Sequence, residues 1–159
     1  MRICDIADAY HPTGGGITTY IDAKRAFIRD RTDHEHALVM PADRDVHERD
    51  GRLEIFGVRS PVIPGAAPYR LMLRQGRITE IVDRLRPDVV EIANPYLQPW
   101  AARTFRRRYG AVVAGFYHTD FPAAYVEATL RGRGGSRLTG AARRAAERYA
   151  VFVHGELDL

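Results

Sequence analysis

Cysteine, lysine and long apolar runs are all scarce in this chain, and each shortage closes off a class of protein. A single cysteine, Cys4, stands in 159 residues, so no disulfide forms within the chain and a cystine-stapled scaffold is excluded. Its place inside an apolar stretch reads as a buried free thiol, which suits a reducing cytoplasm. Lys24 is the only lysine, so arginine carries nearly all the positive charge. The 24 basic and 20 acidic side chains leave a net charge of +4, too small an excess to argue for nucleic acid as a partner. No apolar run approaches the ~20 residues that a spanning helix needs, and Asp5, Asp8 and His11 interrupt the N-terminal stretch where a signal peptide keeps its apolar core. A cytoplasmic protein is the expectation, with contact at the inner face of a membrane left open. The six histidines are scattered, and His34-Glu35-His36 reads as surface polarity, so no metal is expected. Internal repeats and low-complexity segments are absent as well.

What is present is ordinary for one folded domain with a real core: 45% apolar and 28% charged residues. Its organising stretch is residues 1–27, MRICDIADAYHPTGGGITTYIDAKRAF. Arg2, Ile3, Cys4, Asp5 and Ile6 read as a buried strand, and Tyr10 to Thr13 as the turn that leaves it. Gly14, Gly15 and Gly16 then open a helix whose Ile17, Tyr20, Ile21, Phe27 and Ile28 fall roughly on one face. Amides at a helix N-terminus point outward unpaired and carry about half a positive charge, and glycines let a phosphate approach them. The loop is built like an anion cradle, although three glycines before a helix also serve as a plain flexible turn. It has neither GxGxxG spacing followed by an acid about twenty residues on, nor the GK[ST] of a P-loop.

Strand and helix then alternate. Ala37 to Met40 reads as a second strand, residues 43–52 as a charged loop, and Leu53, Ile55, Phe56 and Val58 as a third strand. Residues 61–68, with three prolines and a glycine, read as an ordered loop, and residues 69–85 as a helix stopped by Arg86-Pro87. Asp88 to Ile92 is a strand ending at Asn94-Pro95. Residues 97–108 are predicted helical, with Trp100, Ala101, Thr104 and Phe105 inward. The apolar run 111–117, AVVAGFY, has the look of a central parallel strand covered on both faces. Helices follow, one of them over about 138–149, and VFVHGELDL begins like a strand. This order predicts an α/β fold: a Rossmann-like open, mostly parallel sheet with helices on both faces. Ligands of such sheets sit outside the carboxyl ends of the strands, where the glycine loop and the polar cluster His118, Thr119, Asp120 both belong.

The motifs DAYHPTGGGITTY, PVIPGAAPYR, RPDVVEIANPY and AVVAGFYHTDFPAAYVE, in that order, resemble the N-terminal domain of family 4 glycosyltransferases, enzymes of the GT-B fold, and within it members acting on lipid or polyprenyl acceptors. The resemblance covers residues 2–150 and implies one half of a GT-B fold, with residues 151–159 an atypical tail. It implies that Gly14, Gly15 and Gly16 lie by the phosphates of donor or acceptor and that His118 lies against the transferred sugar, where an imidazole donates or accepts near neutral pH. Tyr69 and Arg70 match a pair that lines the cleft, or they close the helix start; Asn94, Thr119 and Asp120 fall at substrate-binding positions, though Asp120 equally suits a helix cap. The activity implied is transfer of a hexose from a nucleotide-sugar to a lipid or glycan acceptor with retention of configuration, without a cofactor. The family's donor domain carries a glutamate pair spaced by seven residues, and here no two glutamates stand so. The expectation is therefore a truncated chain that lacks its donor-binding domain and is inactive alone, the alternatives being a non-catalytic phosphate- or sugar-ligand domain or a subunit of a split transferase. Arg143, Arg144 and Arg148 face an anionic membrane surface or simply solvent.

Overall fold

The computed structural model describes residues 1–64, 67–93, 99–116, 136–155 and 157, and not the side chains of 99–103 and 136–139. The central strand, β1 (Arg2–Ile6), alternates in a way that decides both faces of the sheet. Cys4 and Ile6 point to one side, where they join Ala37, Val39, Phe56, Val58, Val90, Ile92 and Val113 in the main core. Asp5 points to the other side and is also buried, at 1% exposure. Such two-sided burial is what a strand inside a parallel sheet requires.

From β1 the chain enters α1 (Gly16–Arg31), returns through β2 (Glu35–Ala42), turns over the hairpin β3 (Val46–Asp50) and β4 (Leu53–Arg59), and crosses by α2 (Gln75–Leu85) to β5 (Val89–Ile92). Then come α3 (Pro99–Tyr109), β6 (Val112–Gly115) and α4 (Ser136–His154). The sheet order is β3-β4-β2-β1-β5-β6, with every pair parallel except β3 with β4. Helix α1 lies on the Asp5 face. On the Cys4 face, α2 supplies Ile78, Ile81, Val82 and Leu85 and α3 supplies Phe105, all buried. Truncating an aromatic buried like Phe105 to alanine costs roughly 3–5 kcal/mol. This is the α/β Rossmann-like sheet that the alternation predicts. Among the described residues, no helix is long and apolar enough to cross a membrane.

Several local expectations are corrected. The charged segment 43–52 is not a loop, because it contains β3, whose exposed residues show no apolar period. Pairing and side-chain stacking form it instead: the His47 ring stacks on its cross-strand partner Phe56 at 4.3 Å, and His47 Nε2 lies 2.6 Å from Glu54. Gly51 makes the turn at φ 56°, a conformation that favours glycine. Helix α2 begins at Gln75 rather than near Tyr69, since the preceding residues fold back on the proline loop. Ile63 N–H donates to the Tyr69 carbonyl at 2.9 Å, and Leu71 N–H to that of Pro61 at 2.9 Å. Met72 is thus buried from a non-helical strap. The start of VFVHGELDL is not a strand, for Val151 to His154 complete the last turn of α4. Nor, over its described residues 111–116, is the run 111–117 central: β6 is the outermost described strand on its side, and Val112 is 45% exposed. Phe27, 61% exposed, lies off the inner face of α1, where Thr18 is buried instead, and Thr104 of α3 is exposed.

Candidate functional site

In a sheet of this order the crossovers reverse direction at β1, so a crevice opens between the carboxyl ends of β1 and β5. The residues leaving β1 at that rim are Ala7, Asp8, Ala9 and Tyr10, followed by the glycine loop. The loop is tied down by its own backbone and by Thr18. Gly14 N–H donates to the His11 carbonyl at 2.6 Å, and the Thr18 hydroxyl donates to the same carbonyl at 2.9 Å. A Cβ on Gly14 would stand 2.5 Å from Thr18 Oγ1 and 2.7 Å from that carbonyl oxygen, so the fold itself demands glycine there.

Gly15 and Gly16 differ. A Cβ at either would meet nothing within 4 Å. Gly15 is the N-cap of α1 and offers no side chain to the first amides, and the first turn carries no acid. The leading N–H groups of a 16-residue helix therefore have no side-chain cap among the described residues, and their partial positive charge suits an anion.

Asp8 adds a second unusual group at the same rim. It is only 6% exposed, and among the described residues no side chain or well-aligned amide bonds either carboxyl oxygen. Burial raises its pKa to about 7, against the opposing pull of the nearby amides of Ala9 and Asp8 itself. Close by, the Tyr10 hydroxyl donates to Asp22 at 2.9 Å; burial and that bond push the Tyr10 pKa up to about 12.

The strap after β4 reaches this rim through Tyr69, whose ring lies edge-on to His11 with centroids 6.5 Å apart. Arg70 turns the other way and donates to the Ser60 carbonyl at 2.8 Å. The structure thus brings the glycine loop and Tyr69 together and sets Arg70 on the flank. Asn94, His118, Thr119 and Asp120 lie outside the described residues.

Beneath α1 lies a group of charges that reading the sequence missed. Lys24 Nζ is 2.7 Å from Asp5 and 3.1 Å from Glu91, and 5.0 Å from the centre of the Tyr20 ring. Arg25 lies 2.9 Å from His36 Nδ1 and, as the donor, leaves the ring proton on Nε2. Nε2 stands 3.1 Å from Asp5, outside hydrogen-bonding alignment. The Tyr20 hydroxyl bonds Glu91 at 3.3 Å, and its ring meets Phe116 at 5.0 Å, so α1 is fastened across β5 and the end of β6. The signal was an aspartate between the apolar Cys4 and Ile6 together with the sole lysine, nineteen residues apart.

Two hollows flank the sheet. One, about 790 Å³, is lined by Asp83, Arg86, Asp88 and Arg108 at the amino ends of β5 and β6, on the opposite rim from the described candidate residues. The other, about 940 Å³, lies at the carboxyl ends of β2 and β4.

The family model for Glycosyltransferase Family 4 matches residues 14–154. Three curated relatives bear the same name, GDP-mannose-dependent alpha-mannosyltransferase. The protein from Mycolicibacterium smegmatis is 26% identical over 166 residues, covering 99% of this chain and 40% of its own length. That from Mycobacterium tuberculosis is 25% identical over 126 residues, covering 77% and 33%, and that from Corynebacterium glutamicum 22% identical over 123 residues, covering 76% and 30%. The chain thus spans between 30 and 40% of the length of these relatives.

Proposed function

The chain belongs to glycosyltransferase family 4, and on that premise we propose that it forms the acceptor-side half of a retaining transferase, which passes a hexose from a nucleotide-sugar to a lipid or glycan hydroxyl. The names of the three relatives support mannose as the hexose and GDP as the nucleotide. The observation that carries the reading is the uncapped start of α1 at Gly15 and Gly16, two glycines past the end of β1 with no fold-imposed reason to lack side chains.

In transfer of this kind the anomeric carbon–oxygen bond to the diphosphate breaks, a bond to the acceptor oxygen forms, the nucleotide leaves with added negative charge, and the acceptor hydroxyl gives its proton to the departing phosphate or to solvent. Fixed dipoles aimed at that charge stabilise it without reorganising. The Gly15 and Gly16 amides supply part of this field, and an opposing lobe that holds the nucleotide supplies the rest. In this reading His118 serves the transferred sugar, Tyr69 borders the acceptor path with Arg70 on its flank, and Asn94, Thr119 and Asp120 serve the acceptor hydroxyls. The same reading sets the protein at the cytoplasmic face of a membrane, where a lipid acceptor is within reach, and gives residues 1–159 alone little or no transfer.

The test joins this chain to the donor-side half of one of the mannosyltransferase relatives and follows mannose from labelled GDP-mannose into a lipid extract. Transfer that falls by roughly 100-fold or more in His118→Ala, with GDP-mannose binding retained, supports the reading. A folded chimera that binds GDP-mannose and glycosylates nothing, or an alanine variant of full activity, overturns it.

A further inference from the structure

We propose that the hollow at the carboxyl ends of β2 and β4 is a separate anion site, built to take a phosphate group. It is lined by Arg44, Arg59, Arg70 and Arg74, with Asp43 and Asp45 as the only acids. Its cations are of two kinds. Arg70 and Arg74 are anchored: Arg70 donates to the Ser60 carbonyl at 2.8 Å, and Arg74 grips both oxygens of Asp45 at 2.8 and 2.7 Å. Arg44 and Arg59 make no side-chain hydrogen bond or ion pair among the described residues.

The acids do not cancel this charge. Asp45 accepts the Arg59 backbone N–H at 2.7 Å as well as one Arg74 nitrogen shared between its two oxygens, and these contacts hold its carboxyl below the usual carboxylate range. It is spent on fixing the strap to the end of β4. Asp43 is exposed to solvent, as Arg44 and Arg59 are, and two uncommitted arginines remain in the lining of a hollow of about 940 Å³. Planar guanidinium forks match phosphate oxygens in pairs, which a single ammonium does not.

Position strengthens the assignment. The hollow opens on the same rim as the glycine loop, and the strap between them carries Tyr69 against His11 on one side and Arg70 in the hollow on the other. Val62, Tyr69 and Leu73 are exposed along that strap, so the ligand is a phosphate carried next to apolar matter or a free phosphate ester. The inference does not depend on sugar transfer: it needs the arginines alone, and its test leaves the glycine loop intact.

The experiment titrates inorganic phosphate into the 15N-labelled chain and compares Arg44→Gln/Arg59→Gln. Expected are amide shifts centred on residues 43–45, 59–61 and 70–74, with affinity falling roughly tenfold in the double variant while its melting temperature holds. A parallel arm floats the protein with phosphatidylcholine vesicles doped with phosphatidylglycerol. A response to free phosphate that the double variant loses assigns a soluble phosphate ester. Vesicle binding that the double variant loses, without a response to free phosphate, assigns a lipid headgroup. Shifts confined to residues 14–17, or a double variant that binds like the wild type in both arms, overturn the proposal.

Discussion

Lys24 and Asp5 meet at 2.7 Å beneath α1, the only lysine of the chain against a carboxylate whose side chain is 2% exposed. Burial alone pulls the lysine pKa down, but Asp5 and then Glu91 overcome it, and the net direction is up. Replacing Lys24 by methionine leaves Asp5 buried without its cation. The expected loss is roughly 3–5 kcal/mol in urea unfolding, largely recovered when Asp5→Asn is added. Because the folded lysine holds its proton more tightly than the unfolded one, this contribution is complete below the unfolded pKa near 10.4 and fades as pH rises through the folded value. An alkaline titration of stability that is unchanged in Lys24→Met would contradict the assignment.

Asp8 predicts a pH dependence of opposite origin. Its folded pKa of about 7 stands above the unfolded 3.8, so the folded chain holds a proton that the unfolded chain has lost. Stability should therefore fall as pH rises from about 4 to 7, by on the order of 1.4 kcal/mol per pH unit at the steepest, and level off above 7. Asp8→Asn should flatten that slope. Chemical denaturation of both proteins at several pH values checks it, and identical slopes would remove Asp8 as the cause.

The three glycines should separate into two classes. Gly14→Ala drives a Cβ into Thr18 Oγ1 and the His11 carbonyl and should cost roughly 1–3 kcal/mol. Gly16→Ala, in open space at the first helical position, should leave stability unchanged or raise it by up to roughly 1 kcal/mol. In the chimeric transferase, Gly16→Ala should nonetheless reduce transfer, separating a residue kept for a ligand from one kept for the fold. Thermal melts and mannose transfer on the same preparations decide the matter, and parallel losses in both variants would erase the distinction.

The β1, glycine loop and α1 succession was legible in the sequence because strand, turn and helix each imposed a different spacing on Cys4, Ile6, Ile21 and Ile28. The parallel order followed from the same alternation. What escaped were features whose partners lie far along the chain. β3 shows no apolar rhythm, since His47 gains its place by pairing with and stacking on Phe56 and by meeting Glu54. Leu71 and Met72 look helical in spacing, yet pairing of Leu71 with Pro61 keeps that stretch out of α2. Of the site, the open amides were readable from three glycines. The bare carboxyl of Asp8 was not, because an aspartate just past a strand looks like any turn residue until burial is known.

The hairpin arm β3 has a bearing on colloidal behaviour. Strand β4 carries a full ladder of backbone groups on the side away from β2, and without β3 that ladder would invite a strand from another molecule. Residues 46–50, VHERD, occupy it and present a charged outer margin that resists further strand addition. At this end of the sheet, the segment with the least apolar character is therefore what keeps neighbouring molecules apart.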